Sequence, residues 1–173
     1  GNASDFGDIN SARASTANLS NQTRAMSFGG SLSDGSKPTQ IDAVTIASTG
    51  NAFDFGDMST YVNNTANLAS STRGIMAGGT VSPTRTNAIQ FVTISTSGDT
   101  VDFGDLSVAG SFSSGSTLLY NAVGYSNSTR GIIHGGRDVN NNYMGVIQFI
   151  TIATTGNSSD FGDTAVSAVS YTH

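Results

Sequence analysis

The chain has no cysteine, no tryptophan and no glutamate, a single lysine (Lys37) and only two prolines. Without cysteine, neither a disulfide framework nor a thiolate metal site can be built. The twelve acidic residues are all Asp, and a sequence so poor in Glu and Lys lacks the usual material of solvent-facing helices. No apolar run approaches the ~20 residues that span a bilayer as a helix, so no membrane partner is expected. Seven basic residues against twelve acidic ones leave a net charge of −5. Nucleic acid is therefore not an expected partner, because its binders present clustered basic surface.

What is plentiful is Gly, Ser, Thr and Asn, which favour strands, turns and polar loops, and these residues recur in phase. Asp-Phe-Gly-Asp begins at Asp5, Asp54, Asp102 and Asp160, spaced 49, 48 and 58 residues apart. An arginine followed by an apolar run and a Gly-Gly pair recurs as Arg24 to Gly29-Gly30, Arg73 to Gly78-Gly79 and Arg130 to Gly135-Gly136. Each such arginine precedes its Asp-Phe-Gly-Asp by 30, 29 and 30 residues, so the added length of the last period lies upstream of Arg130. The Gly/Ser-rich stretch near 108–118 is the place for it, since a surface loop absorbs inserted residues at small cost.

Self-similarity at this period defines a repeat protein. Residues 1–8 read as the end of one repeat, 9–57, 58–105 and 106–163 as three complete units, and 164–173 as the opening of another. Each unit reads as four strands. The first lies near Thr16–Leu19, Thr65–Leu68 and Tyr120–Gly124, and the second over Arg24–Phe28, Arg73–Ala77 and Arg130–His134. The third covers Ile41–Ala47, Ile89–Ser95 and Ile147–Ala153, and the fourth carries Asp-Phe-Gly-Asp. Between third and fourth, Gly50, Gly98 and Gly156 supply tight turns. Along Ile147-Gln148-Phe149-Ile150-Thr151-Ile152 both faces are apolar, which asks for cover on both sides. Four-stranded units held between neighbours describe the blades of a propeller, with an extended sandwich as the alternative.

An apolar strand closed by Gly-Gly and repeating at about 50 residues resembles the kelch propeller repeat. The tryptophan of that pattern is absent, and Phe91 and Phe149 stand where an aromatic packing residue is expected. The fuller phrase, Thr-Arg-Gly-Ile-x-x-Gly-Gly with Ile-Gln-Phe-x-Thr-Ile and Asp-Phe-Gly-Asp, is similar to kelch-like repeats in virion structural proteins of tailed bacteriophages, including cyanophages. The resemblance covers essentially the whole chain. It implies an all-β fold, a kelch-like β-propeller segment of about three four-stranded blades. Further repeats, or other copies of the chain, would close it. It also implies location in the virion, as part of a tail fibre, baseplate or capsid surface. The expected partners are other virion proteins or further repeats of the same kind, with a host surface glycan as a second class.

Asp-Phe-Gly also occurs in protein kinases, but the Gly-rich loop, strand lysine and catalytic loop of that family are missing. Asp pairs once per unit could be calcium ligands, yet a calcium loop gathers more oxygens in a short span. No metal and no cofactor is therefore expected, and no catalytic residue: the lone internal histidine, His134, fills the slot of Phe28 and Ala77, which suits packing, and no nucleophile elbow accompanies it. The arginines Arg24, Arg73 and Arg130 are expected to pair with Asp54, Asp102 and Asp160 or to anchor hydrogen bonds between strands, with Phe55, Phe103 and Phe161 in the core. Departures from the repeat mark a candidate binding surface in the third unit, at Arg137, Tyr143 and Tyr120, whose side chains suit sugars or protein surfaces.

Overall fold

A computed structural model describes residues 2–81, 83–107, 119–138 and 140–164. The expected insertion near 108–118, and all of the expected further opening beyond Thr164, lie outside these residues. Among the described residues the chain is all-β, and its strands form four antiparallel sheets of two to four strands, none of them closed.

The first sheet contains β1 (Ala17–Ser20), β2 (Arg24–Phe28), β3 (Gln40–Thr45) and β4 (Phe53–Asp57), paired in chain order. The second pairs β5 (Ala66–Ala69), β6 (Arg73–Ala77), β9 (Ala88–Thr93) and β10 (Val101–Asp105) in that order, and between β6 and β9 a hairpin of β7 (Thr80–Val81) and β8 (Thr84–Arg85) forms a separate two-stranded sheet. The third has β11 (Val123–Ser126), β12 (Arg130–His134), β13 (Val146–Thr151) and β14 (Ser159–Asp163). In each case a residue with left-handed backbone, Ser15, Asn64 or Asn121 (φ 59°, 56° and 54°), sits two residues before the first strand. That turn delays the strand: in the third unit it runs from Val123, not from Tyr120. The third strands are also shorter than expected, because their last apolar residues enter a turn at Ile46, Ile94 and Ile152.

Asp-Phe-Gly-Asp is a β-bulge. The register between β3 and β4 passes from Ile41↔Gly56 to Asp42↔Asp54, so Phe55 is the extra residue, and Phe103 and Phe161 repeat this. The glycine bends the strand at φ 148°, 144° and 136° in turn, a conformation that costs other residues free energy. The first Asp receives the glycine N–H on its side chain, at 3.1 Å for Asp54 and 3.0 Å for Asp160.

The sheets stack. The rear face of the first, including Leu19, Met26, Phe28, Ile41 and Phe55, packs on Met76, Val92 and Ile94 of the second. The rear face of the second, with Leu68, Ile75, Ile89 and Phe103, packs on Ile133, Ile150 and Ile152 of the third. Leucine fits because the next sheet offers a glycine opposite: a β-carbon on Gly74 would lie 2.7 Å from Leu19, and one on Gly131 would lie 2.7 Å from Leu68. Each buried Leu, Ile or Phe contributes about 1.5–3 kcal/mol, so the core belongs to the junctions between sheets.

Candidate binding surface

The chemistry-bearing repeat residues work at those junctions. The bulged Phe55 carbonyl accepts the Gly98 N–H of the next unit's turn (2.7 Å), and the Asp57 carbonyl accepts the Thr100 N–H (2.8 Å). In return, the Asp57 N–H donates to the Asp99 carboxylate at 2.9 Å. The next junction repeats all three contacts: Phe103 to Gly156, Asp105 to Ser158, and the Asp105 N–H to the Asn157 side chain. The segment 5–8 makes the same set with Gly50, Asn51 and Ala52.

Two of the recurrent arginines cross between units. Arg24 donates to the Ile94 carbonyl at 2.5 Å and lies over the rings of Phe53 and Phe55. Arg73 donates to the Ile152 carbonyl at 2.7 Å and lies 4.5 Å from the Phe91 ring centre. Arg130 lies 4.7 Å from the Phe149 ring centre. The carboxylates of Asp54, Asp102 and Asp160 are not their ion-pair partners: among the described residues the only ion pair joins Arg13 and Asp42. A cation over an aromatic ring with a carbonyl at its tip avoids burying a second charge. The glycine pairs Gly29-Gly30, Gly78-Gly79 and Gly135-Gly136 all take positive φ at the end of the second strand.

Buried polar residues form a second recurrent element that periodicity alone did not single out. Gln90 accepts hydrogen bonds from the Ser59 and Thr100 hydroxyls, both at 2.7 Å. Gln148 accepts from Ser107 at 3.2 Å and Ser158 at 2.6 Å. In the first unit Asp42 stands in the glutamine's place, Ala52 lacks the hydroxyl, and Asn10 and Arg13 bind the carboxylate instead. A polar residue in the same slot of a strand covered on both faces was the available signal.

Arg137, Tyr143 and Tyr120 do come together. Arg137 follows Gly135-Gly136 and forms antiparallel bridges with both tyrosines. Its guanidinium lies 4.4 Å from the Tyr143 ring centre and donates to the Tyr143 hydroxyl at 2.6 Å. The loop between them is fixed from inside by the buried Asp138, whose carboxylate accepts the N–H groups of Asn140 and Asn142, both at 2.8 Å. Tyr120 is held differently. Arg85, from β8 of the second unit, lies 3.9 Å from its ring centre and donates to the Asp138 carbonyl at 2.8 Å and to Asn141 at 3.1 Å. The Tyr120 hydroxyl also donates to Asn141, so Tyr120 is part of the support and Tyr143 is the exposed member. Arg85 lies outside the repeat pattern, and nothing in its local sequence marks it.

Beside this pair a cleft of about 410 Å³ is lined by Asn121, Val123, His134, Arg137, Tyr143 and Met144. His134 stacks on Tyr125 with ring centres 5.4 Å apart and planes 15° from parallel. The surface therefore offers aromatic faces, one guanidinium and amide groups on a braced loop, the chemistry that binds polyols or protein surfaces. Compared with protein-family models and with curated proteins, the chain matches none.

Proposed function

We propose that the three stacked four-stranded sheets are blades of a kelch-like β-propeller segment. We read the chain as a non-enzymatic structural or adhesion module of a phage virion, acting through protein–protein or host-surface contacts. The observation that carries this reading is the junction chemistry: the same arginine, bulge and Gly-Asx contacts join the first unit to the second and the second to the third. The recurrent polar residues are thus used for cohesion, as an assembly module needs. The virion placement rests on the sequence resemblance. Immunogold labelling of purified particles tests it, with label on the tail or capsid surface expected; label confined to infected-cell lysate would refute it.

The second reading, a carbohydrate-binding propeller, is favoured by one observation, the pairing of half-buried Arg137 with exposed Tyr143 beside the cleft. A glycan array on the intact chain tests it. Binding lost in Arg137→Ala and Tyr143→Ala supports it, and an array with no binding, or binding that both variants retain, removes it.

A further inference from the structure

We propose that the rear face of the third sheet is the seat of one further unit of this same repeat, and that the chain's own first unit, presented by a second copy, is not that unit. The inference rests on the stacking geometry alone and is independent of the virion reading.

The two junctions within the chain define what a rear face contacts. A leucine enters the space over a glycine, an arginine reaches a carbonyl after the next third strand, and the bulge docks on a Gly-Asx turn. The third sheet presents all the donating parts: Tyr125 in the leucine slot, Arg130, and the bulge at Phe161-Gly162-Asp163. Their surroundings are open. Phe161 is 57% exposed where Phe55 and Phe103 are each 2% exposed. A β-carbon on Gly162 would meet nothing within 4 Å, whereas on Gly56 and Gly104 it would lie 2.4 and 2.5 Å from the next unit's turn.

The first unit of a second copy has the wrong receiving surface for three separate reasons. Its Gly50 and Ala52 N–H groups already donate to Phe6 and Asp8 carbonyls, both at 2.8 Å. Its buried Asp42 is held by Arg13 and Asn10 of the same chain, and lifting that segment away to admit another bulge would strand a buried charge. At the position of Gly74 and Gly131 it carries Ala25, which narrows the space just where Tyr125, larger than leucine, would enter. The fitting occupant therefore has glycine after its second-strand arginine, a Gly-Asx turn after its third strand, and no segment already seated there.

Two measurements on the full chain test this. Sedimentation across a wide concentration range is expected to show a monomer; head-to-tail oligomers or dimers abolished by Tyr125→Glu would overturn the proposal. The second uses a chain extended after Asp163 by a copy of its own residues 58–105, read by amide hydrogen exchange. The Asp163 amide, newly bonded to the grafted Asp99 side chain, is expected to exchange at least about tenfold more slowly, and Gly162→Val is expected to cancel that protection. A parallel graft carrying Tyr125→Leu guards against a misfit specific to tyrosine. Protection in either graft supports the proposal, and protection in neither overturns it.

Discussion

The second and third sheets are built from nearly the same phrase and live in different surroundings. Phe103 and Leu68 on the rear of the second are 2% and 4% exposed, while Phe161 and Tyr125 on the rear of the third are 57% and 58% exposed. Strand geometry, bulge and Gly-Gly ending are shared. The difference teaches that a unit specifies its own backbone but not its own burial. A four-stranded sheet with two apolar faces has no interior, and its free energy comes from whatever stacks on it.

The largest effect should follow from removing the same ring in the two settings. Phe103→Ala is expected to lower unfolding free energy by about 3–5 kcal/mol, the range for truncating a buried phenylalanine. Phe161→Ala is expected to cost less than about 1 kcal/mol. Urea unfolding of both variants checks this, and equal losses would mean that stacking is not where the stability lies.

The bulge glycines sharpen the comparison. Any side chain at Gly104 or Gly162 meets the same backbone strain, of order 1–3 kcal/mol, because both have φ near 140° (144° and 136°). Only Gly104 also faces a backbone carbonyl at 2.5 Å. Gly104→Ala should therefore be more destabilising than Gly162→Ala by about 2 kcal/mol, measured in the same unfolding series. A gap near zero would reduce the junction to loose contact.

A smaller gap is expected between Arg73→Met and Arg130→Met. The first variant loses a charge-assisted hydrogen bond to the Ile152 carbonyl as well as a ring contact, about 1–2 kcal/mol together. Arg130 has the ring contact with Phe149, and its loss should cost about 0.5 kcal/mol.

How far the sequence carried the fold follows from the same division. Strands set by local pattern were legible: Arg24–Phe28, Arg73–Ala77 and Arg130–His134 were placed as they stand. The start of the first strand in the third unit was displaced, because a left-handed Asn121 leaves no signature distinct from other polar turn residues. Asp-Phe-Gly-Asp was visible as a repeat, but its role as a bulge that seats a neighbour's turn depends on contacts 42 to 52 residues apart, such as Asp57 to Asp99 and Asp105 to Asn157. Of the two expected uses of the recurrent arginines, pairing with Asp54, Asp102 and Asp160 is not what the structure shows, whereas Arg24 and Arg73 do anchor hydrogen bonds to carbonyls. Recurrence shows that two residues belong to one design without showing that they touch: Arg24 and Arg73 reach a carbonyl of the next unit, while Asp54 and Asp160 hold the N–H of their own bulge glycine. Arg137 and Tyr143 were legible as loop departures from the repeat, whereas the bracing of Tyr120 by Arg85 joins two units and left no trace in either.

The smallest effect is expected in the first unit's loop, at Asp34, which is fully exposed. The Ser36 hydroxyl, with the Ser36 N–H at 2.8 Å, holds the Asp34 carboxyl below its ordinary value. A carboxylate depressed on folding adds stability that is present above its unfolded-state pKa and is lost as pH falls through the folded-state value. Ser36→Ala should therefore shift the Asp34 titration upward toward the ordinary carboxylate value, read by carbon-detected NMR. The variant should be slightly less stable than the parent at neutral pH, and the two should converge in acid. Because this carboxylate touches no other unit, the variant should leave exchange at the buried junctions unchanged. Faster exchange at Gly98 or Thr100 would show that the loops and the stack are coupled after all.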